Sequence, residues 1–215
     1  MTELLPLFLN VAGRPVVLVG GGRVAAAKLR QLLAAGARVT VVAPAMSDEI
    51  VGAPFQAAGT GDPERVALRH RAFAPADLDG AWLVIAAATP EVNRAVAAAA
   101  EERRLFVNAV DDPANATAYL SGVVRRDGVT IAISTSGHAP ALTSLLREGL
   151  DALLPRDLPT WIERARAQRV VWRRDAVPME QRKPRLLTAL NAIYGSTDEG
   201  GTSVPWLHAP EDSWL

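Results

Sequence analysis

A carboxylate follows an apolar run near the middle of the chain. Residues 105–110 are typical of a buried strand, and Asp111 comes directly after them. In an open parallel sheet the carboxyl ends of the strands line the ligand crevice, so an aspartate there can act as a general base. A structural role for Asp111 in its loop is an equal alternative. Asp112 stands before Pro113, and we interpret it as a turn former rather than a second base.

A glycine-rich turn near the start of the chain is the second chemical candidate. The apolar run 15–19 leads into Gly20, Gly21 and Gly22 and then into a pattern with helical spacing. Gly20 suits a tight turn, Gly22 lets the backbone approach a phosphate without a Cβ, and Ala25 lets the helix pack close to the strand. Unpaired N–H groups at a helix start also attract an anion. The pattern predicts a dinucleotide site, with a glycine turn that binds nothing as the alternative.

These residues do not decide between NAD and NADP. A carboxylate commonly binds the adenosine ribose about 20 residues after such glycines. Here the second apolar run, 38–43, is followed by Pro44 and Ala45. Arg23 can meet a phosphate of the dinucleotide or a 2′-phosphate, or it can be an ordinary solvated arginine at a helix start. Only the dinucleotide class is therefore predicted at this point.

A polar loop is the third candidate. Ser134, Thr135, Ser136 and His138 follow a β-prone run and precede a helix that begins near Pro140. Their hydroxyl and N–H groups can bind a carboxylate of a ligand, but capping of the helix is the plainer interpretation. Histidine can shuttle a proton near neutral pH, although a single loop histidine such as His138 is more often merely exposed. We take the loop as a candidate substrate site.

Small side chains at another strand end predict the close approach of a flat group. Residues 86–88 are alanines, and Thr89 and Pro90 follow them. Asn93 and Asn108 are polar candidates nearby. We assign Thr89 to the cofactor site and Asn108 to the substrate site.

Alternating strands and helices must position these candidates. Apolar runs predict five strands, at 15–20, 38–43, 66–70, 82–87 and 105–110. Helical spacing predicts helices at 24–35 and 91–104. This alternation predicts an α/β fold with a Rossmann-like parallel sheet and right-handed crossovers.

The pattern changes after the fifth predicted strand. Two β-prone runs, 118–124 and 129–134, are joined through an Asp-Gly pair, which predicts a hairpin. From Pro140 onward the chain is predicted to be helical. Five leucines at helical spacing, which we interpret as core, are Leu142, Leu145, Leu146, Leu150 and Leu153.

Composition excludes several function classes. The 215 residues include no cysteine, which removes disulfides, thiolate catalysis and iron–sulfur clusters. The three histidines are far apart, so we predict no metal site, and any metal would be a substrate. The formal net charge is zero and no recognition motif is present, which argues against nucleic acid. No apolar run approaches the roughly 20 residues of a membrane span, and we expect a cytoplasmic protein.

Five motifs, taken in order, resemble a known family. They are LPLFL at 5–9, VLVGGGRVA at 17–25, AAAT at 86–89, VNAVDDP at 107–113 and ISTSGHAP at 133–140. As a set they are similar to the precorrin-2 dehydrogenase and sirohydrochlorin ferrochelatase family of siroheme synthesis. The match runs over about residues 4–155, and the later part of the chain matches much less well.

The resemblance implies an activity and roles for the candidate residues. Family members use NAD to oxidise precorrin-2 to sirohydrochlorin, and some also insert ferrous iron. Asp111 matches the catalytic aspartate, and the loop from Ser134 to His138 matches the one beside the tetrapyrrole. The positions that match the NAD site are Gly22, Arg23, Val24, Pro44 and Ala45. The resemblance also implies a homodimer in which the hairpin region and the helical part interlock.

We therefore expect four segments. They are an NAD-binding Rossmann domain at 1–113, a β-hairpin and dimerisation region at 114–150, a helical C-terminal region at 151–194 and a loosely structured tail at 195–215. A nucleotide-sensing Rossmann module without catalysis is the alternative function. A different small-molecule dehydrogenase, or a chelatase alone, is a third.

Overall fold

The larger part of the chain is built on one parallel sheet. The computed structural model describes residues 4–52, 65–120 and 122–194. The five strands are β1 (Pro15–Val19), β2 (Arg38–Val42), β3 (Val66–Arg69), β4 (Leu83–Ala86) and β5 (Phe106–Ala109). Their order in the sheet is β3-β2-β1-β4-β5, and every pairing is parallel. The predicted sheet is confirmed, and each predicted strand end lies within one residue of the observed one.

The carboxyl ends of the strands are level with one another. Val19 lies opposite Val42 on one side and Ala86 on the other, and Ala86 lies opposite Ala109. Because the ends share one register, the loops that follow β1, β2, β4 and β5 all begin at the same edge of the sheet. This is the edge where ligands bind in open parallel sheets.

Two helices cover opposite faces of the sheet. Helix α1 (Arg23–Ala34) packs on the face that carries Val16 and Leu18, and helix α2 (Pro90–Glu102) packs on the face that carries Val17 and Val19. Side chains alternate between the faces of a strand, so each central strand contributes to both cores. Continuous Val, Leu and Ile runs are therefore what a strand buried on both faces requires.

A hairpin follows the sheet, and one of its predicted strands is shifted. The strands are β6 (Gly122–Arg126) and β7 (Val129–Ile133), joined through Asp127 and Gly128, which both have positive φ. A two-residue turn of this kind matches the twist of the strands. The first strand does not begin at residue 118, because the N–H of Ala118 donates to the carbonyl of Val107 in β5.

Three helices complete the described chain. They are α3 (Pro140–Leu153), α4 (Leu158–Arg174) and α5 (Met179–Tyr194), and a small core forms around Leu158, Trp161 and Leu190. The Arg126 guanidinium connects the hairpin to the end of α3 through the Leu154 carbonyl at 2.7 Å and the Asp151 carboxylate at 2.8 Å. No helix among the described residues is both long and apolar enough to span a membrane. The predicted tail, 195–215, lies outside the described residues.

The chain divides into two compact units. One contains the residues up to Gly122 together with Ser134–Thr143, and the other contains Val123–Ile133 and the residues from Ser144 onward. The first unit therefore holds the sheet, the glycine turn, Asp111 and the polar loop. The four functional segments expected from the sequence, including a dimerisation region, stay a prediction.

The leucine stripe of α3 is exposed, which corrects one prediction. We interpreted it as core, but no residue of α3 is buried. Leu145 and Leu153 are 66% and 69% exposed, Leu142 and Leu146 are also exposed, and Leu150 is half-buried. Helical spacing alone cannot distinguish a stripe that packs inside one chain from a stripe that meets another molecule.

A buried carboxylate ties the loop after β3 together. The Asp77 side chain is 1% exposed and accepts hydrogen bonds from Arg69 at 2.6 Å, from Arg71 at 2.7 Å and from the backbone N–H of Ala74 at 2.9 Å. The hydrogen bond from Arg71, followed by those from Ala74 and Arg69, holds the pKa of Asp77 far below its ordinary value. Folding therefore favours the ionised form.

We expect Asp77→Asn to lower the free energy of unfolding by about 3 kcal/mol at pH 7, because breaking a buried ion pair leaves charges uncompensated. The pKa is lowered on folding, so this stabilisation is complete above about pH 5 and is lost progressively as the pH falls from about 4 toward the lowered pKa of the folded state. Urea unfolding at about pH 7 and at about pH 2.5, within the range of that loss, measures the change. The difference in the free energy of unfolding between wild type and Asp77→Asn should be smaller at the acidic pH.

Asp79→Asn is the matched control, because Asp79 is exposed and pairs with Arg103 at 2.9 Å. Exposed pairs contribute little, so we expect a loss below about 1 kcal/mol. Equal losses for the two variants, or a gap for Asp77→Asn that does not change with pH, would contradict a buried ionised carboxylate.

Candidate functional site

Several of the predicted site segments meet at the carboxyl edge of the sheet. The N–H of Gly20 donates to the Val42 carbonyl at 3.0 Å, which ties the glycine turn to the end of β2. The N–H of Ala87 donates to Val19 at 2.8 Å, and the N–H of Val110 donates to the Ala86 carbonyl at 2.9 Å. These bonds place the glycine turn, Thr89 and Asp111 in successive loops along one edge.

At two of the three glycine positions, neighbouring backbone atoms leave no room for a side chain. Gly20 has φ +133°, and a Cβ there would overlap the carbonyl oxygen of Ala87. A Cβ on Gly21 would overlap the carbonyl oxygen of Ala45. The loops after β2 and β4 therefore close onto the turn from both sides. The G-x-G pattern treats the middle position as free, so sequence reasoning missed the requirement at Gly21.

Gly22 differs from its neighbours because the surrounding protein does not require it. Its φ is −87°, and no described atom lies within 4 Å of the place where a Cβ would stand. The first α-helical hydrogen bond of α1 runs from Ala26 to the Gly22 carbonyl at 3.0 Å. The N–H groups at the start of α1 therefore have no partner within the helix, and among the described residues the space beside Gly22 is open. An open cradle of N–H donors fits a dinucleotide pyrophosphate.

The remaining predicted cofactor contacts surround this cradle. Arg23, Val24, Pro44 and Ala45 are all exposed. Among the described residues, Arg23 forms no ion pair, so its charge is available to a phosphate. Thr89 is the residue that directly precedes α2. The roles of these residues in cofactor binding stay predictions.

Asp111 lies at the same edge in an unusual backbone conformation. Its φ is +56°, in the left-handed region, and its side chain is exposed. A residue other than glycine held there costs about 1–2 kcal/mol, and such strain concentrates at functional sites. Asp112 accepts a hydrogen bond from the Asn115 amide at 2.7 Å, as a turn former does. The two adjacent carboxylates thus have different surroundings.

The polar loop packs directly against the loop that carries Asp111. A Cβ on Gly137, which has φ +79°, would stand 3.0 Å from Cγ of Pro113. Thr135 lies just before α3, and its Oγ1 accepts from the N–H of Ala139, the residue that precedes the helix, at 3.2 Å.

The other hydroxyls and the imidazole of this loop have local contacts. Ser134 Oγ accepts from the N–H of Ser136 at 3.1 Å. The exposed His138 ring lies 3.1 Å from the Thr135 carbonyl through Nδ1. Ser134 and His138 are exposed and Ser136 is half-buried, so all three can still reach a ligand beside Asp111. Substrate binding by the four loop residues stays a prediction.

The two predicted asparagines have separate positions. Asn93 accepts from the N–H of Ala88 at 3.0 Å, which holds the loop after β4. Asn108 is buried in β5, and its amide donates to the Ala118 carbonyl at 2.9 Å. Oδ1 of Asn108 is buried and has no partner among the residues that the structure describes. Buried acceptors are rarely left unpaired, so this oxygen marks a place where a donor belongs.

Sequence reasoning missed Lys28 on the second turn of α1. Burial lowers the pKa of the Lys28 ammonium group, and the Asp111 carboxylate acts in the opposite direction. The two residues are 83 positions apart, so no local pattern connects them. One signal was available: Lys28 and Lys183 are the only lysines among 23 basic residues. No group of three or more possible metal ligands occurs among the described residues.

The fold and this edge define a dinucleotide-binding protein. Residues 7–122 match a family model described as "Putative NAD(P)-binding", and the chain belongs to this family. The predicted dinucleotide cofactor is thereby confirmed.

Two proteins with sequences similar to this chain are named siroheme synthase. The chain is 44% identical over 157 residues to siroheme synthase 3 of Aeromonas hydrophila subsp. hydrophila, covering 73% of this chain and 32% of the relative. It is 41% identical over 181 residues to siroheme synthase 1 of Pectobacterium atrosepticum, covering 83% and 36%. The chain thus spans about a third of the length of these relatives.

A solved structure shares the fold. It is described as SirC, precorrin-2 dehydrogenase, with 24% identity and a TM-score of 0.63, and the match covers 85% of this chain and 87% of that one. The additional hairpin and C-terminal helices are therefore part of a known architecture. Together the comparisons confirm the resemblance stated from the five motifs.

Proposed function

We propose that this chain catalyses the NAD-dependent oxidation of precorrin-2 to sirohydrochlorin. The observation that carries the proposal is the single edge that holds both the open glycine cradle and Asp111. The relatives named siroheme synthase support the choice of substrate. A cytoplasmic location goes with the proposal, because the reaction draws on a pool of free NAD.

The chemistry divides between the cofactor and the protein. When bound at the glycine cradle, NAD would supply the acceptor for the hydride that the macrocycle loses. The macrocycle also loses one proton, and the Asp111 carboxylate is placed to accept it. Asp111 is exposed, so the proton then passes to water and the carboxylate is restored. Ser134, Ser136 and His138 lie in the loop that would hold the substrate next to it.

Incubation of the protein with NAD and precorrin-2 tests the proposal. We expect NADH and sirohydrochlorin to appear together in the visible and ultraviolet spectrum, in equal amounts. NAD binding without either product would instead support the nucleotide-sensing module. Turnover of NAD with another small molecule, but not with precorrin-2, would support a different dehydrogenase.

Iron insertion is a second candidate, and the exposed carboxylate of Asp111 favours it. Insertion of ferrous iron releases pyrrole protons, and the same carboxylate can accept them. We propose that both reactions, where both occur, share this crevice, with ferrous iron as a substrate. The test is supplied sirohydrochlorin with ferrous iron and no NAD. A rate equal to the spontaneous rate would leave the chain as a dehydrogenase only.

We also propose a homodimer that uses the leucine stripe of α3, defined here as Leu142, Leu145, Leu146 and Leu153. All four are exposed, and proteins that act as monomers rarely expose a large contiguous apolar patch. We expect Leu145→Glu to convert a dimer into a monomer, because a buried charge without a partner disfavours association. Light scattering coupled to gel filtration measures the mass.

Arg147→Glu is the matched control, because residue 147 lies roughly 200° around the helix from residue 145. It introduces the same charge on the opposite side of α3 and should leave the dimer intact. A monomeric wild type, or a dimer that survives Leu145→Glu, would contradict this interface.

A further inference from the structure

Lys28 is a cation without a counterion beside the proposed site. It is half-buried on α1, and among the described residues its ammonium group forms no hydrogen bond or ion pair. Asp111 is the charged group that acts on it, but the two do not form an ion pair. A partly desolvated ammonium group is less stable than one in water unless an anion approaches it.

The packing places Lys28 and the loop of Asp111 on one side of the sheet. Val107 and Ala109 of β5 belong to the core under α2, whereas Val110 packs against the core under α1. Side chains alternate along a strand, so Asn108 also faces the side of α1. The chain after Val110 therefore leaves the sheet on the side where Lys28 lies.

The same side carries an unpaired acceptor. Asn108 is 7% exposed, and the bond from its amide to Ala118 fixes which way Oδ1 points. Oδ1 has no partner among the described residues. Next to Asp111 there are thus a cation that needs an anion and an acceptor that needs a donor. A ligand with both a carboxylate and an N–H group satisfies both requirements.

A proton relay explains Lys28 less well than an anion site does. Asp111 is exposed, so its proton can leave directly to water without an intermediate amine. A lysine also carries a compact point charge that suits one carboxylate oxygen, whereas arginine, which supplies all other basic residues but Lys183, presents a planar fork.

We propose that Lys28 is a specificity-determining residue that binds one carboxylate of a polycarboxylate tetrapyrrole beside Asp111, while Oδ1 of Asn108 accepts a hydrogen bond from an N–H of the same ligand. The anchored carboxylate fixes the position of the ring relative to Asp111. The choice of tetrapyrrole rests on the function proposed above, and the site is otherwise defined by the chain itself.

The experiment uses uroporphyrin, a stable tetrapyrrole polycarboxylate that needs no turnover. Its visible absorbance is titrated with the full chain as wild type, Lys28→Met, Lys28→Arg and Lys183→Met. We expect Lys28→Met to bind about 10- to 100-fold more weakly, as for loss of a charged hydrogen bond. Lys28→Arg should keep most of the affinity because it keeps the charge. Lys183 is exposed on α5, and Lys183→Met should equal wild type.

Two further readouts separate the possible anions and the possible failures. NADH affinity should be unchanged in Lys28→Met; if it falls while uroporphyrin binding persists, the anion is a dinucleotide phosphate and the proposal is wrong. Reductive methylation labels both lysines, and NMR should show the pKa of Lys28 rising when uroporphyrin binds while Lys183 does not respond.

The outcomes also distinguish this proposal from the proposed function. Equal uroporphyrin affinity in wild type and Lys28→Met, or no binding by wild type, would contradict the binding of a ligand carboxylate by Lys28. If Lys28 controls uroporphyrin binding but wild type makes no sirohydrochlorin from precorrin-2 and NAD, the role of Lys28 in binding is supported and the proposed reaction is wrong.

Discussion

Asp111→Asn is expected to lower the oxidation of precorrin-2 by about 100- to 10,000-fold, the range typical of general acid–base catalysis. The amide keeps the shape of the carboxylate but cannot accept the proton. Asparagine also tolerates positive φ, so the substitution adds no strain at the +56° backbone, as alanine would. NAD affinity should be nearly unchanged because the cradle at Gly22 is untouched. Single-turnover formation of sirohydrochlorin is the measurement.

Asp112→Asn is the matched control for that change. Its carboxylate holds the Asn115 amide at 2.7 Å, and an asparagine oxygen can accept the same hydrogen bond. We expect it to keep most of the activity. Equal turnover in Asp111→Asn and wild type, or an equal loss in both variants, would end the assignment of Asp111 as the base.

The crevice that we propose for both reactions adds a second readout to the same variant. Asp111→Asn should also slow insertion of ferrous iron into supplied sirohydrochlorin, provided that wild type exceeds the spontaneous rate. If insertion is robust in Asp111→Asn but is lost in His138→Ala, the histidine and not the aspartate accepts the pyrrole protons.

Gly22→Val is expected to weaken NAD binding by about 100-fold or more, which is roughly 3 kcal/mol. A branched side chain would fill the space that lies open in front of the N–H groups of α1. The backbone at Gly22 has φ −87°, which valine can adopt, so the free energy of unfolding should change little. Titration with NADH, together with urea unfolding, measures both quantities.

Gly21→Ala is the variant to compare with Gly22→Val. Its Cβ would overlap the Ala45 carbonyl, so we expect this smaller change to lower the free energy of unfolding as well as NAD affinity. Iron insertion needs no dinucleotide, so Gly22→Val should leave it intact. Unchanged NADH affinity in Gly22→Val would mean that the glycine turn does not bind the dinucleotide.

Much of the sheet and part of the site could be predicted from local patterns. The strands from Pro15 to Ala109 were found to within one residue because strands covered on both faces need continuous apolar runs. The glycine turn and Asp111 were found for a related reason. A residue that directly follows such a strand must lie at its carboxyl end, wherever the strand stands in the sheet.

Other features depended on residues that are distant in sequence. The first hairpin strand begins at Gly122 because Ala118 is bonded to β5, and the leucine stripe of α3 is exposed because no described part of the chain covers it. Apolar residues at helical spacing predict that a helix has an apolar side, but they do not predict what packs against that side.

The chain's amino-acid sequence by itself determined which strands form, where the glycine turn lies and which carboxylate stands at a strand end, because each is a consequence of local backbone geometry and burial. Only the tertiary structure decided that the Ala45 carbonyl leaves no room for a side chain at Gly21. It also decided that, among the described residues, no atom lies close to Gly22 and neither the Lys28 ammonium group nor Oδ1 of Asn108 has a partner. Those facts depend on distances between loops, and loops from different strands meet only when the sheet brings their ends to one edge.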